Sequence, residues 1–276
     1  MVSGITGKNI NLPILNNILI RVNDNKVEFV ATNLETAVIV VVRAKVEETG
    51  SFTVPARTLT DFVNLLPNET IDFSVKENEL LVKCGKSATK IKGTSAEDFP
   101  VIPAIPDGKG YLIDAVLFRD ALNKVLPAVA KNDIRPELSG LFAFFNTENK
   151  QLVLAATDSY RLAEKKLKLE QGEVEMKIII PARTALEINH LLAGAGNGDG
   201  DEKNARILIG DNQMVVLFNN AQIISRLVEG QYPDYTQIIP KEFNTTVTID
   251  TQRLIKEMKA SGLFTTTGVN AVSLGL

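Results

Sequence analysis

The chain repeats itself. Pro55-Ala56-Arg57-Thr58 returns 126 residues later as Pro181-Ala182-Arg183-Thr184, and Thr32 returns 125 residues later as Thr157. Both threonines follow an apolar run and open a polar corner, Ala31-Thr32-Asn33-Leu34-Glu35 and then Ala156-Thr157-Asp158-Ser159-Tyr160-Arg161. Phe99-Pro100 returns as Tyr232-Pro233 at an offset of 133, the extra residues being mostly the glycine-rich stretch from Gly194 to Asp201. A third copy starts late, with Ile249-Asp250 matching Ile113-Asp114 at an offset of 136, and Leu254 and Met258 matching Phe118 and Leu122. The chain therefore reads as a duplicated domain plus the beginning of a third, divided at 1–107, 108–239 and 240–276. Each of the first two has an ordinary domain length. The pieces of the third lack a sheet to cover them and cannot fold alone as written.

Within a repeat the pattern is strand-rich with few helices. Leu12 to Val22 reads as a strand opened by Leu12-Pro13-Ile14-Leu15. Lys26 to Ala31, Val38 to Val46 and Phe52 to Val54 follow. After Pro55, the apolar residues Leu59, Phe62, Val63 and Leu66 fall at helical spacing. Ile71 to Val75, Leu80 to Cys84 and Ser87 to Gly93 return to strands, and Val101 to Gly110, with two prolines and two glycines, reads as a linker. In the second copy Asp114 is placed to cap a helix with Phe118, Ala121, Leu122 and Val125 on one face. A second helix runs from Pro181 to Leu192, and eight strands surround the two. Ile238 to Phe243 is the second linker. The fold class is α+β.

The totals exclude several chemistries. The single Cys84 and single His190 rule out an internal disulfide, multi-cysteine metal sites and paired-histidine zinc motifs. Cys84 reads as a small core residue and His190 as a structural or surface histidine. The stretch Gly194 to Asp201 lacks the Lys-Ser/Thr ending of a phosphate loop, and Asp199 and Asp201 lack a calcium-loop pattern. No nucleophile, base or metal cluster emerges, so neither catalytic residues nor a cofactor is expected. No apolar run reaches the ~18 residues of a membrane span, and the start, Met1-Val2-Ser3-Gly4, has no signal-peptide character, making a cytoplasmic protein the expectation. The net charge of −3 argues against a tight, charge-driven nucleic-acid binder but leaves room for a locally basic face.

Such a face is suggested by position. Arg57 lies opposite the apolar stripe of its helix, and the repeat puts Arg183 in the same place. Arg119 and Lys124 flank the outer face of the helix that follows Asp114, and Lys256 and Lys259 lie opposite Leu254 and Met258. Single surface cations are commonplace. Recurrence at equivalent positions suggests helices lining one basic surface that touches phosphates without reading bases.

Taken together, Leu12-Pro13-Ile14-Leu15, Val54-Pro55-Ala56-Arg57, Asp98-Phe99-Pro100, Ala156-Thr157-Asp158-Ser159-Tyr160-Arg161-Leu162-Ala163 and Glu229-Gly230-Gln231-Tyr232-Pro233-Asp234-Tyr235 resemble the beta sliding clamps of bacterial DNA polymerase III, in order and across the chain. The resemblance implies repeated clamp domains, with antiparallel sheets outside and two helices per domain on the inner face. Two subunits would close head to tail into a homodimeric ring around duplex DNA. Such a ring is a non-catalytic processivity factor that tethers the polymerase III catalytic subunit, the clamp loader and other proteins carrying a clamp-binding motif. Relative to the family, the first domain would lack its initial strand and helix, and the third would be truncated, along with the far wall of its peptide pocket.

Residue by residue, the resemblance places a partner-peptide pocket at Leu138, Thr157, Ser159, Tyr160, Arg161, Leu162, Pro233, Gln237 and Ile238. Tyr160 stands where histidine is usual and Gln237 where a basic residue often sits. The DNA-facing set is Lys8, Arg57, Arg119, Lys124, Arg183, Lys256 and Lys259. Phe62 and Leu66 match one ring-interface face, and Leu263 and Phe264 the opposing one. Two alternatives compete. A phosphoryl-transfer subunit of the replication machinery would show carboxylates clustered at strand ends. A DNA-independent β-rich scaffold would scatter Arg57, Arg119, Lys124 and Arg183 over unrelated faces.

Overall fold

A computed structural model of the chain describes residues 2–6, 12–103, 108–131, 135–196, 202–265, 272, 273 and 275. They form two compact units, Met1–Tyr232 and Pro233–Leu276.

The first unit contains the first repeat and the second as far as Tyr232. The helical turn α1 (Val2–Ile5) precedes β1 (Asn17–Asn23), β2 (Lys26–Thr32), β3 (Thr36–Arg43) and β4 (Gly50–Pro55), then α2 (Ala56–Val63) and the hairpin strands β5 (Asp72–Lys76), β6 (Glu79–Cys84) and β7 (Ser87–Lys92). The second repeat opens with β8 (Lys109–Asp114) and α3 (Ala115–Val125). It continues with β9 (Gly140–Asn146), β10 (Gln151–Thr157), β11 (Leu162–Lys168), the short β12 (Gln171–Gly172) and β13 (Met176–Pro181). Helix α4 (Ala182–Leu191) and strands β14 (Asn204–Ile209), β15 (Gln213–Phe218) and β16 (Ala221–Arg226) complete it.

Strand order exposes the duplication. The four-stranded sheet runs β11-β10-β9-β13, and the same order recurs as β3-β2-β1-β4 at one end of a nine-stranded sheet. The remainder of that sheet, β12-β8-β14-β15-β16, belongs to the second repeat, and its first-repeat counterpart is the separate sheet β5-β6-β7. The two repeats are joined where β16 pairs antiparallel with β3, from Ala221↔Val40 to Ser225↔Thr36. By the same correspondence β7 takes the place of β16, and β11 the place of β3. Each is the last strand of its own sheet.

The α3 and α4 helices cover the second repeat's sheets. Phe118, Ala121, Leu122 and Val125 on α3 are fully buried, as their spacing requires, and join Ala185, Ile188 and Leu191 of α4 in the main core. Asp114 caps α3 by accepting the Val116 and Leu117 amides at 3.0 Å each. Across the two helices, Asn189 Nδ2 donates to Asn123 Oδ1 at 2.9 Å. Under them the Tyr111 and Phe145 rings lie 4.3 Å apart. Tyr111 donates its hydroxyl to the Val174 carbonyl at 2.9 Å, and burial, reinforced by Glu173, pushes its phenol up to about 12. The second repeat thus has its two helices. In the first, the described helices are α2 and the single turn α1, whose Ile5 is wholly buried in the same main core.

Three local expectations change. Pro13–Asn16 forms a 3-10 turn rather than opening a strand, because the proline ring fixes φ and offers no amide to a ladder, so β1 starts at Asn17. On α2 the expected apolar stripe shortens. Leu59 is buried, Phe62 and Val63 are half-buried, and Leu66 lies beyond the helix end. In the second unit, Tyr235–Ile238 is a 3-10 turn, and α5 (Thr251–Gly262) is capped by Asp250 as the repeat requires. The stretch from 244 to 249 forms no strand, and no residue of α5 is fully buried.

Candidate functional site

Both repeats close their polar corner with one set of hydrogen bonds. In the first, the Thr32 hydroxyl donates to the Thr36 carbonyl at 3.0 Å and accepts the Leu34 amide at 3.0 Å. Asn33 Oδ1 accepts the Glu35 and Thr36 amides. In the second, the Thr157 hydroxyl donates to the Arg161 carbonyl at 2.8 Å and accepts the Ser159 amide at 3.1 Å. Asp158 Oδ1 accepts the Tyr160 and Arg161 amides at 3.0 Å each. Leu34 and Ser159, at matching positions, both take positive φ, +76° and +75°. The sequence of threonine, then asparagine or aspartate, then a left-handed residue, builds this turn through its own side chains.

The surroundings differ. Thr36, the counterpart of Arg161, is buried, and its hydroxyl lies 3.0 Å from that of Thr184 on α4. The Glu35 carbonyl accepts the Arg226 amide. The first corner is therefore engaged by the following repeat. In the second corner Tyr160 is 98% exposed and Arg161 is exposed. Arg161 Nε donates to Asp158 Oδ2 at 3.0 Å, which aims the guanidinium. Desolvation alone would raise the Asp158 carboxyl, but the Tyr160 and Arg161 amides and the Arg161 side chain outweigh it and hold the group below the usual aspartate range.

The remaining pocket expectations divide between the units. Leu138 is buried in a 3-10 turn, Pro136–Leu138, just before β9, Thr157 is buried at the end of β10, Ser159 is exposed, and Leu162 is half-buried at the start of β11. Pro233, Gln237 and Ile238 belong to the second unit, where all three are exposed and Gln237 Nε2 donates to Asp234 Oδ2 at 2.8 Å. Sequence reasoning passed over two contributors. Asp158 organises the turn, and Tyr232 holds it from below. The Tyr232 hydroxyl accepts the Thr157 amide at 3.0 Å while its ring stacks on Phe142 with centroids 5.1 Å apart. Burial pushes the Tyr232 phenol up to about 12 against the opposing pull of the Thr157 amide. The tyrosine where the first repeat has Phe99 was the available signal.

The basic helix residues are partly engaged. Arg57 pairs with Asp61 at 3.6 Å and Lys124 with Asp120 at 2.6 Å, both within one helix and well exposed. Arg119 Nη1 donates to the Ala193 carbonyl at 3.1 Å, bracing α3 against the end of α4, and Arg183 Nη2 donates to the Ile5 carbonyl at 3.4 Å. Lys256 and Lys259 are exposed on α5, and Lys8 lies outside the described residues. Of the ring-interface expectations, Phe62 and Leu66 are half-buried, and Leu263 and Phe264 are 81% and 88% exposed. His190 is exposed, with Nδ1 3.5 Å from the Glu187 carboxylate. Cys84 is buried. Two surface depressions, of about 720 and 330 Å³, are lined by Asp24, Asn25, Lys26, Arg43, Ala44 and Lys45 and by Asn149, Lys150, Gln151, Lys166, Leu167 and Lys168, and neither includes a residue of the proposed sites. Among the described residues no helix is long and apolar enough to cross a membrane, and no group of three or more His, Cys, Asp or Glu is arranged to hold a metal ion.

Duplicated sheets of identical strand order, helices laid against them, and a corner left open only in the second copy define a clamp-type repeat protein. Residues 1–103 match the family model for the N-terminal domain of the DNA polymerase III beta subunit, and residues 112–234 match that for its central domain. The chain belongs to the beta sliding clamps of DNA polymerase III. It is 29% identical over 267 residues to the beta sliding clamp of Streptococcus pneumoniae, covering 94% of this chain and 69% of that protein. With the Staphylococcus aureus beta sliding clamp the identity is 26% over 270 residues, covering 95% and 70%. The fold superposes on the Pseudomonas aeruginosa clamp, solved bound to griselimycin, with a TM-score of 0.87 at 28% identity over 98% of this chain and 72% of that one. The DNA polymerase III beta subunit of Thermotoga maritima gives a TM-score of 0.86 at 25% identity, covering 95% and 70%.

Proposed function

We propose that this chain is a non-catalytic sliding clamp, part of a ring that encircles duplex DNA and tethers the polymerase and other partners through peptide docking. The observation that carries the ring is the pair of terminal strands β7 and β11. Their counterparts, β16 and β3, are the strands that join the two repeats. A structure that satisfies one such edge pair by a repeat-to-repeat junction has the same chemistry available at the next edge, and continuing it in a closed circle leaves neither the β7 nor the β11 edge exposed. This reading keeps three repeat domains with limits at 107 and 239, a homodimer, and ring-interface faces at Phe62 and Leu66 and at Leu263 and Phe264.

The basic residues suit sliding rather than gripping. Exposed ion pairs such as Arg57–Asp61 and Lys124–Asp120 are worth at most ~1 kcal/mol, so phosphates can exchange with the carboxylates at little cost. With a net charge of −3, processivity then comes from topology and effective concentration rather than from tight DNA affinity. Charge reversal at Arg57 and Arg183 together is expected to raise the salt sensitivity of retention on circular DNA. Equal retention of both proteins across a salt series would refute the DNA face.

Peptide docking is assigned to the open second corner, with Leu138 and Leu162 supplying apolar area and Tyr160 and Arg161 polar tips. Thr157 and Ser159 belong to the same corner, and the family resemblance adds Pro233, Gln237 and Ile238 as candidates. Replacing Arg161 and Leu162 together by alanine is expected to weaken a polymerase-derived peptide more than tenfold, on the order of 1.4 kcal/mol or more. An unchanged dissociation constant would remove the assignment. The clamp loader and other peptide-bearing proteins would use the same corner, and the setting is the cytoplasmic replication machinery.

A further inference from the structure

We infer that Tyr232 is a positioning residue for peptide docking. Its hydroxyl, seated on the Thr157 amide, sets the orientation of the turn from Thr157 to Leu162 for an apolar peptide ligand. The inference rests on the docking assignment made above for this corner.

The strand register explains why that amide needs a side-chain acceptor. β10 pairs with β11 as far as Thr157↔Leu162, but its pairing with β9 stops at Ala155↔Phe142. The last residue of β10 therefore extends past its neighbour on one side, and the Thr157 amide finds its acceptor in the Tyr232 hydroxyl at 3.0 Å, in buried surroundings. The segment that delivers the hydroxyl is itself anchored. The Val228 amide donates to the Ile179 carbonyl on β13 at 2.9 Å, and the Tyr232 ring lies on Phe142 of β9. The path from β13 over β9 to the end of β10 crosses the sheet and ends at the corner.

The first repeat separates the role of this hydroxyl from the needs of the fold. Its corner makes the same hydrogen bonds through Thr32 and Asn33, with the same left-handed third residue, yet its counterpart to Tyr232 is Phe99, packed on Leu19 and Val30 with no hydroxyl to offer. The turn closes without a phenol. There Thr36 is held by Thr184 of the next repeat, whereas the second corner ends in exposed Tyr160 and Arg161. The hydroxyl occurs in the repeat whose corner is open. Removing it leaves a buried amide without an acceptor and frees the turn to tilt, and the apolar side of Leu162 tilts with it.

The test uses the intact protein and a fluorescein-labelled synthetic peptide from the polymerase catalytic subunit, comparing Tyr232→Phe, Leu162→Ala and the double variant. The expected result is a loss of peptide affinity of about tenfold for Tyr232→Phe. Retention on circular DNA should be unchanged, and the loss should be much smaller when measured on the Leu162→Ala background, because a positioning residue acts through the group it positions. Loss of affinity for Leu162→Ala with none for Tyr232→Phe overturns the inference and leaves the docking site standing. No loss for either variant overturns both. A Tyr232→Phe effect that is fully additive with Leu162→Ala also counts against positioning. Should Tyr232→Phe fold poorly, hydrogen exchange of the Thr157 amide in the unaltered protein decides. Exchange that slows at least severalfold on adding peptide supports the inference, and an unchanged rate overturns it.

Discussion

The hydroxyl of Thr36 lies 3.0 Å from that of Thr184, 148 residues further along the chain, and Thr184 lies 2.7 Å in turn from the hydroxyl of Ser225. All three side chains are buried. The chain of hydroxyls crosses from β3 of the first repeat to α4 and β16 of the second and ends on the Arg226 carbonyl. Replacing Thr184 by valine keeps the shape but takes its partner from the buried Thr36 hydroxyl and leaves Ser225 only the Arg226 carbonyl. The expected cost is about 1–3 kcal/mol, measured by urea denaturation. Thr58, the counterpart in the first repeat, is exposed, so Thr58→Val should change stability by no more than about 0.5 kcal/mol.

Leu34 is an exposed, bulky residue at φ +76°. Left-handed backbone costs an ordinary residue roughly 1–2 kcal/mol, and asparagine tolerates it better. Leu34→Asn should therefore stabilise the protein by about 0.5–1 kcal/mol, read as a higher urea midpoint at unchanged slope. A lower midpoint would show that the Leu34 side chain makes a contact worth more than the strain.

Acid should loosen the second corner before the first. Asp158 has its carboxyl below the ordinary aspartate value in the folded chain, so its contribution is present above that ordinary value and is lost as pH falls through the lower, folded one. Asn33 does the same work in the first corner without titrating. Amide exchange or chemical shifts of Tyr160 and Arg161, followed downward from about pH 5, should change while those of Glu35 and Thr36 hold steady. Asp158→Asn should abolish the difference.

Alkali should act elsewhere. Tyr111 and Tyr232 are both pushed up to about 12, so each favours the folded state below the ordinary tyrosine value near 10 and withdraws that support as pH climbs towards the folded value. Stability measured between pH 9 and 11 should fall more steeply for the unaltered protein than for Tyr111→Phe with Tyr232→Phe.

A β-carbon added at Gly140 would sit 2.5 Å from Ile179 Cγ2 and 2.8 Å from the Ile180 carbonyl, and the latter is backbone that cannot swing away. Gly140→Ala should cost about 1–3 kcal/mol through displacement of β13 from β9. Gly194→Ala, where an added β-carbon meets nothing within 4 Å, is the matched control.

Much of the architecture could be read from residues alone, because the repeat supplied two copies of every local signal. The burial of Phe118, Ala121, Leu122 and Val125 followed from spacing, and the caps at Asp114 and Asp250 followed from each other. Spacing says nothing of which strands meet across 180 residues, so the β16–β3 junction was invisible, and with it the reason the first corner is closed. The motif around Tyr232 does not reveal its role, which lies in one hydroxyl reaching an amide 75 positions earlier. Arg119 was visible as a surface cation. That it braces the end of α4 depends on how two helices cross, which a single helix pattern does not encode.

The β16–β3 ladder has a mechanical meaning. Five residue pairs in register, with Asn220 and Val41 bonded in both directions at one end and Arg226 and Glu35 at the other, make the seam between repeats as stiff as the interior of a sheet. Bending there would shear several hydrogen bonds at once, whereas a loop hinge would yield a torsion at a time. A load applied to this molecule passes through the seam as through a weld, and flexing concentrates wherever the ladder stops.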